Sequence, residues 1–307
     1  MQQEATVQVQ NISKAYGDLK AVDDLSFTVY RGEVFGLLGP NGAGKTTTLE
    51  MIEGLRKPDS GEIFINQWNA RTDLQKVKEI IGVQLQSTSL YNKIKVGEAL
   101  ALYGGYYQHH RSVDELLELV SLQDKRDSYH INLSGGQMQR LALALTLVND
   151  PKVVFLDEPT TGLDPQARRN LWDIINKMRS DEKTVILTTH YMEEAEQLCD
   201  RIAIMDHGKI IAKGTTSELI SQLAGESCLE FELEERLALP ELQTLPAVTK
   251  VEARGATVEL FSKNPQESLV SLLDLAKEKH AEIKDLHVRR PTLEDLFLKL
   301  TGRSLRE

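Results

Sequence analysis

A glycine-rich segment with a lysine and a threonine spans residues 39–46 and reads GPNGAGKT. It fills every fixed position of G-x-x-x-x-G-K-[ST], a loop whose backbone N–H groups cradle the phosphates of a nucleoside triphosphate. In such a loop Lys45 can reach the β- and γ-phosphates, and the Thr46 hydroxyl can ligate Mg²⁺. The segment therefore predicts a nucleoside triphosphate and magnesium as ligands. The residues expected to contact the nucleotide here are Gly39, Pro40, Asn41, Gly42, Ala43, Gly44, Lys45, Thr46 and Thr47.

The residues on either side of this loop match the elements that must position it. Residues 33–38 form a short apolar run typical of a buried parallel strand, and residues 47–52 begin a helical pattern. A helix that starts directly after the loop directs its first N–H groups and the positive end of its dipole at the phosphates. The alternative is a glycine-rich turn that matches by chance, which is expected roughly once in a hundred chains of this length. The flanking pattern disfavours it.

Two acidic residues follow a second apolar run, residues 153–156, where that predicted strand ends. A phosphate loop needs a carboxylate at the end of a neighbouring strand to hold magnesium, and Asp157 is in that position. Glu158 comes one residue later and can orient or deprotonate an attacking water. The alternative is a capped strand followed by a turn at Pro159, but the phosphate loop upstream favours the catalytic interpretation.

Two further polar residues follow apolar strands and are weaker candidates for the same chemistry. His190 comes after the apolar run at 184–187 and can hydrogen-bond the γ-phosphate and the water. Gln86 comes after the apolar run that starts at Ile80, and its carboxamide can contact both Mg²⁺ and the water. Each residue taken alone is more typical of a structural or surface group, so both predictions depend on the rest of the pattern.

A second anion-binding pattern, LSGGQ, spans residues 133–137 at the start of a predicted helix. A serine hydroxyl, glycine N–H groups and the helix dipole can together hold a phosphate, although a glycine-containing helix cap is the alternative. Because residues 39–46 already hold a triphosphate, the second cradle predicts that two copies face each other. The cradle of one copy then closes on the γ-phosphate held by the other. The residues expected in this cradle are Ser134, Gly135, Gly136 and Gln137.

Length and composition exclude several classes of protein. The 307 residues allow one large domain with a small one, or two medium domains, and the formal net charge of −10 disfavours nucleic acid as a partner. The two cysteines, Cys199 and Cys228, are far apart and are expected to be unpaired. The first residues lack the basic and apolar regions of a secretory signal, and no apolar run reaches the roughly 18 residues of a membrane span. We therefore expect a protein that is soluble by itself.

The order of predicted elements indicates an α/β domain, residues 1–214, followed by a smaller α+β domain, residues 215–307. Strands alternate with helices in the first domain, which predicts a mostly parallel sheet, and an antiparallel β-region precedes the phosphate loop. A mostly helical block at about 87–150 interrupts this alternation and is interpreted as an inserted helical subdomain. In the second domain, two short strands can pair across residues 254–255 as a hairpin.

Together and in this order, the segments resemble the nucleotide-binding subunit of an ATP-binding-cassette (ABC) transporter over residues 5–214. The resemblance implies a P-loop NTPase fold, the ABC cassette, with ATP and Mg²⁺ as cofactors. The catalytic residues that it implies are Lys45, Gln86, Glu158 and His190, and the implied magnesium ligands are Thr46, Gln86 and Asp157.

The same resemblance implies contacts beyond the phosphates. Tyr16 would stack on adenine, and Gln86 would link the site to a membrane partner. Ser134 and Gly136 would reach the ATP of the other copy, and Asp164 would make a contact between the two copies. These assignments imply a homodimer that sandwiches two ATP molecules.

Two further segments narrow the resemblance to one group. HYMEEAE at 190–196 and PTLEDLFLKLTGR at 291–303 look like the daunorubicin-resistance type of bacterial drug and antibiotic exporters. In that group a separate permease of the ABC-2 type forms the channel. The resemblance therefore implies a peripheral subunit at the cytoplasmic face of the cell membrane that powers export of a drug, antibiotic or other hydrophobic molecule. The domain at 215–307 would contribute to dimer contact or regulation.

Two other functions fit an ABC-type cassette less well. A soluble ABC-type ATPase that works on ribosomes or DNA usually has two cassettes in one chain or a long coiled-coil insertion, and this sequence shows neither. A regulatory module that binds ATP without turnover would not need Glu158. We therefore expect an ATPase whose hydrolysis is coupled to transport.

Overall fold

The computed structural model describes residues 4–84, 90–223, 227–233 and 238–302, apart from the side chain of Arg254. The chain divides into two compact units, the first ending at Thr215 and the second beginning at Thr216. Both cysteines are free and buried, as predicted.

The first unit contains alternating strands and helices. Its strands are β1 (Ala5–Tyr16), β2 (Leu19–Tyr30), β3 (Val34–Leu38), β4 (Ser60–Ile65), β5 (Trp68–Asn69), β6 (Ile81–Gln84), β7 (Val153–Asp157), β8 (Thr184–Thr189), β9 (Arg201–Asp206) and β10 (Lys209–Gly214). Its helices are α1 (Lys45–Ile52), α2 (Leu74–Ile80), α3 (Val96–Gly104), α4 (Val113–Leu119), α5 (Gly135–Thr146), α6 (Pro165–Ser180) and α7 (Met192–Leu198).

A six-stranded sheet in the order β10-β9-β3-β8-β7-β6 forms the centre of the first unit. All its neighbouring strands run parallel except β9 and β10. Strands β3 and β7 are buried along their whole length, which explains their uninterrupted apolar sequences. The parallel pairs place the ends of β3, β7 and β8 at one edge of the sheet, so the segments that follow them are neighbours. The predicted parallel core is confirmed.

An antiparallel sheet in the order β2-β1-β4-β5 packs beside this core. The rings of Phe27 in β2 and Phe35 in β3 stack with their centres 5.1 Å apart, which joins the two sheets through buried apolar surface. Antiparallel strands in this part of the chain agree with the predicted β-region.

Helices α3, α4 and α5 form the helical block, and two of them start at serine caps. The Ser112 hydroxyl accepts from the Glu115 N–H, and the Ser134 hydroxyl accepts from the Gln137 N–H. In each case the third helical residue returns a hydrogen bond to the backbone of the serine, so two N–H groups that would lack helical partners are satisfied. These caps fix where α4 and α5 begin.

The second unit is a small α+β fold. Its elements are α8 (Thr216–Ser221), β11 (Ser227–Leu233), α9 (Leu239–Gln243), β12 (Val248–Arg254), β13 (Thr257–Ser262), α10 (Pro265–Glu278), β14 (Ile283–Arg289) and α11 (Leu293–Thr301). The antiparallel sheet has the order β12-β13-β11-β14, which is the split β-α-β arrangement of ferredoxin-like folds. Its core contains Leu229, Phe231, Leu260 and Leu272. The predicted hairpin between β12 and β13 is present.

Candidate nucleotide site

The loop at residues 39–46 connects β3 to α1 and requires glycine at two crowded positions. Gly44 has a φ of +99°, and a Cβ there would lie 2.3 Å from the carbonyl oxygen of Ala21. A Cβ on Gly39 would lie 2.4 Å from the carbonyl oxygen of Met205. Only glycine permits this close approach of backbones and the left-handed turn that follows. The glycines thus allow the loop to fold tightly at the start of α1.

Lys45, the first residue of α1, turns its side chain back into this loop. It is only 4% exposed, and its Nζ donates to the carbonyl oxygens of Gly39 (2.8 Å) and Pro40 (3.1 Å). The Nζ also lies 3.5 Å from Oε1 of Glu158. The pKa of Lys45 is lowered, because its burial outweighs the opposing attraction of the carboxylates of Glu158 and Asp157. A buried ammonium group held by carbonyls suits an incoming phosphate, which would offer it a full negative charge.

Asp157 ends β7 beneath the start of α1. Its Oδ1 accepts a hydrogen bond from the Thr46 hydroxyl at 3.3 Å and another from the Thr188 hydroxyl in β8. These contacts bring together residues that are 111 and 31 positions apart in the chain. A carboxylate and a hydroxyl are hard oxygen donors of the kind that Mg²⁺ prefers.

Glu158 lies at the sharp turn that follows β7, with a left-handed φ of +47°. Its N–H donates to the Thr188 hydroxyl (2.9 Å), and its Oε2 accepts from the Thr161 hydroxyl (3.2 Å). Its Oε1 lies 3.3 Å from Nδ1 of His190, the residue that follows β8. Burial raises the pKa of Glu158, but attraction to Lys45 and His190 and the hydrogen bonds outweigh it, so that the pKa is lowered. The carboxyl group is therefore ionised at neutral pH and able to accept a proton.

The LSGGQ segment lies at the start of α5, close to the start of α6. A Cβ on Gly136 would come within 2.9 Å of the Ala167 Cβ, whereas one on Gly135 would meet nothing within 4 Å. Asp164 caps α6, and its Oδ1 accepts from the Ala167 N–H at 2.8 Å. Within the described ranges, no hydrogen bond connects Ser134, Gln137 or Asp164 to residues 39–46.

Tyr16 ends β1 with its side chain 43% exposed. The guanidinium carbon of Arg56 lies 5.4 Å from the centre of its ring, and Nζ of Lys14 lies 5.9 Å from it. An exposed aromatic ring of this kind is able to stack on a base. Gln86, the remaining predicted site residue, lies outside the described residues.

The structure adds two residues that the sequence argument missed. Thr188 bonds to both Asp157 and Glu158, and the signal was a pair of hydroxyl residues, Thr188-Thr189, at the end of an apolar strand. Gln139 in α5 donates from Nε2 to the Pro159 carbonyl at 2.6 Å, so the LSGGQ helix holds the turn directly after Glu158. No local sequence pattern predicts this contact, since it depends on how α5 packs against the turn after Glu158.

Comparison with known proteins agrees with this geometry. The ABC transporter family model matches residues 22–161, and the model described as ATP-binding protein DrrA1-3-like, C-terminal domain, matches residues 214–301. The chain is 41% identical over 307 residues to Nod factor export ATP-binding protein I of Ralstonia nicotianae, across 97% of this chain and 94% of that protein. It is 36% identical over 310 residues to linearmycin resistance ATP-binding protein LnrL of Bacillus subtilis, across 98% and 100% of the two chains.

A solved structure extends the comparison to the fold. The dimeric post-hydrolysis state of an ATP-binding cassette bound to ADP and Pi superimposes with a TM-score of 0.62 at 27% identity, covering 68% of this chain and 98% of that one. The resemblances read from the sequence, to the cassette and to the daunorubicin-resistance type, are confirmed. The chain belongs to the ABC transporter family as an ATP-binding subunit, and ATP hydrolysis is the activity characteristic of that family.

Proposed function

We propose that this chain hydrolyses ATP to power the export of a compound through a separate membrane permease. The observation that supports this most is the continuous set of contacts from Lys45 to Glu158 to His190, with the Thr46–Asp157 pair beside it. Three different segments supply these groups, yet all are within contact distance at one edge of the sheet. A binding module without turnover would not require Glu158 in this position.

The binding half of the site fits a magnesium–ATP complex. Lys45 would exchange its carbonyl partners for the β- and γ-phosphates, and the N–H groups of the glycine loop would hold phosphate oxygens. Thr46 and Asp157 offer the hydroxyl and carboxylate oxygens that Mg²⁺ takes, and we propose that Gln86 adds its amide oxygen. When bound, Mg²⁺ supplies positive charge that offsets the charge of the phosphates. Tyr16 would stack on the adenine.

The hydrolytic half of the site has a base and a hydrogen-bonding partner. The ionised Glu158 carboxylate would accept a proton from the attacking water as the water oxygen bonds to the γ-phosphorus. The bond from that phosphorus to the bridging oxygen breaks, and ADP leaves with the electron pair. His190 would hydrogen-bond the γ-phosphate while its ring is kept near Glu158. The Glu158 carboxylate lies beside Lys45 and His190, whereas the Asp157 carboxylate bonds to Thr46 and Thr188, which leaves the two carboxylates free for different tasks.

The second phosphate cradle supports an assembly of two copies. Ser134, Gly135, Gly136 and the N-terminus of α5 offer an anion site. Within the chain the Ser134 hydroxyl bonds to the Gln137 N–H and Gly136 faces Ala167 of α6. We propose that they close on the γ-phosphate bound by a second copy, with Gln137 holding the cap and Asp164 at the contact. A dimeric cassette with the same fold supports this arrangement.

The proposed transport partner and the proposed cargo are inferred from the related proteins. One relative is named for Nod factor export and another for linearmycin resistance, so we propose a drug, an antibiotic or a similar compound as the cargo. Among the described residues, none of the helices has the length and apolar character needed to span a bilayer. We propose that an ABC-2-type permease supplies the channel and that this chain binds it at the cytoplasmic face, near Gln86.

The decisive experiment combines Glu158→Gln with ATP and size-exclusion chromatography. We expect steady turnover to fall at least about 100-fold while ATP traps a stable dimer, because the nucleotide that joins the two copies is no longer cleaved. Ser134→Ala added to Glu158→Gln should abolish the trapped dimer. Exchange of the exposed residue Glu118, as Glu118→Gln, is the matched control and should preserve turnover. A Glu158→Gln chain that binds ATP and stays monomeric would contradict the two-copy arrangement.

A further inference from the structure

The aromatic ring proposed to stack on adenine lies at an exposed hairpin end. Tyr16 is the last residue of β1, it pairs with Leu19 at the start of β2, and its side chain is 43% exposed. The hairpin fixes the backbone of Tyr16, whereas the orientation of the ring depends on the side chains around it. A ring stacks on a base only when its face is directed towards that base. The contacts of the ring therefore bear on how well the base is bound.

The closer of two cations beside the ring comes from the turn that follows α1. The guanidinium carbon of Arg56 lies 5.4 Å from the centre of the Tyr16 ring, within the range over which a cation and a ring attract each other. The Nζ of Lys14 is farther away, at 5.9 Å. A guanidinium group is planar and packs against aromatic rings, so Arg56 can restrict the tilt of the ring as well as its position.

Arg56 is itself held to the helix that begins at the phosphate loop. Its Nε donates to Oε2 of Glu50 at 2.5 Å, and its backbone N–H donates to the Glu50 carbonyl oxygen at 3.0 Å. Glu50 lies in α1, whose first residue is Lys45. A continuous set of contacts therefore runs from α1 through Glu50 and Arg56 to the Tyr16 ring.

The same turn also holds the strand end that carries the ring. The Asp59 N–H donates to the Ser13 carbonyl oxygen at 2.9 Å, and Asp59 Oδ2 accepts from the Ala15 N–H at 2.8 Å. Its Oδ1 accepts from Nζ of Lys14 at 2.6 Å. Asp59 therefore fixes the end of β1, while Arg56 contacts the ring at that end.

We propose that Arg56 is a positioning residue that orients the Tyr16 ring for the adenine base of the bound nucleotide. The inference rests on the proposed stacking of Tyr16 on adenine. Because Arg56 acts through the ring, its loss should weaken binding of the base. The chemical step depends on Lys45, Glu158 and His190 and should not change.

The experiment is a double-mutant cycle on the Kd for ADP with magnesium, measured by calorimetry on the full chain. ADP carries the base and cannot lose a γ-phosphate during the measurement. Tyr16→Ala should raise the Kd by about 5- to 100-fold, the effect of losing one base stack. Arg56→Ala should raise it by about 3- to 10-fold, because a ring that is free to tilt still stacks part of the time. In the Tyr16→Ala chain, Arg56→Ala should add less than about twofold, because the two side chains act as one unit.

Lys57→Ala is the matched control, since it removes the same charge from the neighbouring, exposed residue. It should leave the Kd within about 1.5-fold of wild type, because an exposed charge is screened by salt. Should Arg56→Ala not fold, Arg56→Gln keeps much of the side chain's length without the cation and replaces it in the cycle.

Steady-state ATP hydrolysis gives a second readout that a merely structural role would not produce. Arg56→Ala should raise KM for ATP while kcat stays within about twofold of wild type, as expected when binding alone is weakened. An equal fall in kcat and in ATP affinity would overturn the positioning role.

The outcomes separate this inference from the proposed function. An unchanged Kd in Arg56→Ala, or the same fold-change in the presence and absence of the Tyr16 ring, would overturn the positioning role alone. A Tyr16→Ala chain that binds ADP as wild type does would overturn the proposed stacking on adenine and, with it, this inference.

Discussion

At the scale of single residues, the half-buried Glu158 and the buried Glu53, both near Asp157, have pKa values shifted in opposite directions. Glu158 lies beside Lys45 and hydrogen-bond donors, which lower its pKa against the effect of burial. Glu53, next to the end of α1, is 3% exposed, and burial together with repulsion from Asp157 and Glu50 raises its pKa to about 8. The environment thus keeps one carboxyl group ionised for chemistry and the other neutral at pH 7.

Glu53 predicts a pH dependence of stability. Its folded pKa is raised above the unfolded value, so its contribution is fully present below about pH 4.5 and is lost as the pH rises towards 8. Glu53→Gln removes the ionisable group. We expect the variant to match wild type near pH 4.5 and to exceed its free energy of unfolding by up to about 4 kcal/mol at pH 8.

Urea unfolding of both chains at several pH values, without nucleotide or magnesium, measures this difference. Glu118→Gln, which changes an exposed glutamate in α4, serves as the control and should show a much smaller trend. A difference between Glu53→Gln and wild type that does not change with pH would show that Glu53 is ionised in the folded chain.

At the scale of elements, the starts of α5 and α6 form one unit of structure. Ser134 and Asp164 cap the two helices, and the gap between them is set by Gly136 and Ala167. The Gln139 bond to the Pro159 carbonyl then connects α5 to the turn that carries Glu158. The position of the LSGGQ cradle is therefore mechanically linked to Glu158 in the same chain.

Two neighbouring glycines test this packing. Gly136→Ala places a methyl group 2.9 Å from the Ala167 Cβ, so α5 and α6 must separate, and we expect a loss of about 1–2 kcal/mol in the free energy of unfolding. Gly135→Ala meets nothing within 4 Å and should be neutral or stabilising, because alanine favours a helix. Chemical denaturation of the nucleotide-free chains measures both. Equal effects of the two substitutions would contradict the packing argument.

At the scale of the whole molecule, the residues proposed to act on phosphate all lie in the first unit, and none lies in the second. Lys45, Asp157, Glu158 and His190 all belong to the unit that ends at Thr215. The second unit has its own core, and its Arg289 pairs with the carboxylates of Glu230, Glu259 and Asp295. We propose that this unit serves dimer contact or regulation rather than ATP binding.

A shortened chain of residues 1–215 tests that division. Because the phosphate-binding residues and their neighbours are retained, we expect the Kd for ATP to stay within about threefold of the full chain, which corresponds to less than 1 kcal/mol. The trapped dimer of Glu158→Gln should be weaker if the second unit supplies contacts between copies. Isothermal calorimetry and size-exclusion chromatography measure the two effects. A folded 1–215 chain that no longer binds ATP would contradict the division.

The sequence alone determined the type of fold, and it predicted which residues of the candidate site come together. The phosphate loop, Asp157, Glu158 and His190 each follow an apolar strand, and parallel strands bring their carboxyl ends to one edge, so strand-end residues become neighbours whatever the intervening chain does. The helix start at Ser134 was equally predictable, because a helix cap depends on only a few adjacent residues.

Only the tertiary structure decided which side chains hold that site in place. The contacts of Thr188 with Asp157, of Gln139 with Pro159 and of Glu194 with Trp172 each join residues 20 or more positions apart, as in the 31 that separate Thr188 from Asp157. The strand order β12-β13-β11-β14 could likewise not be predicted from the sequence, since hydrophobic alternation indicates a strand but not which strand it pairs with. Local patterns encode elements and their ends, whereas long-range packing chooses the partners of each side chain.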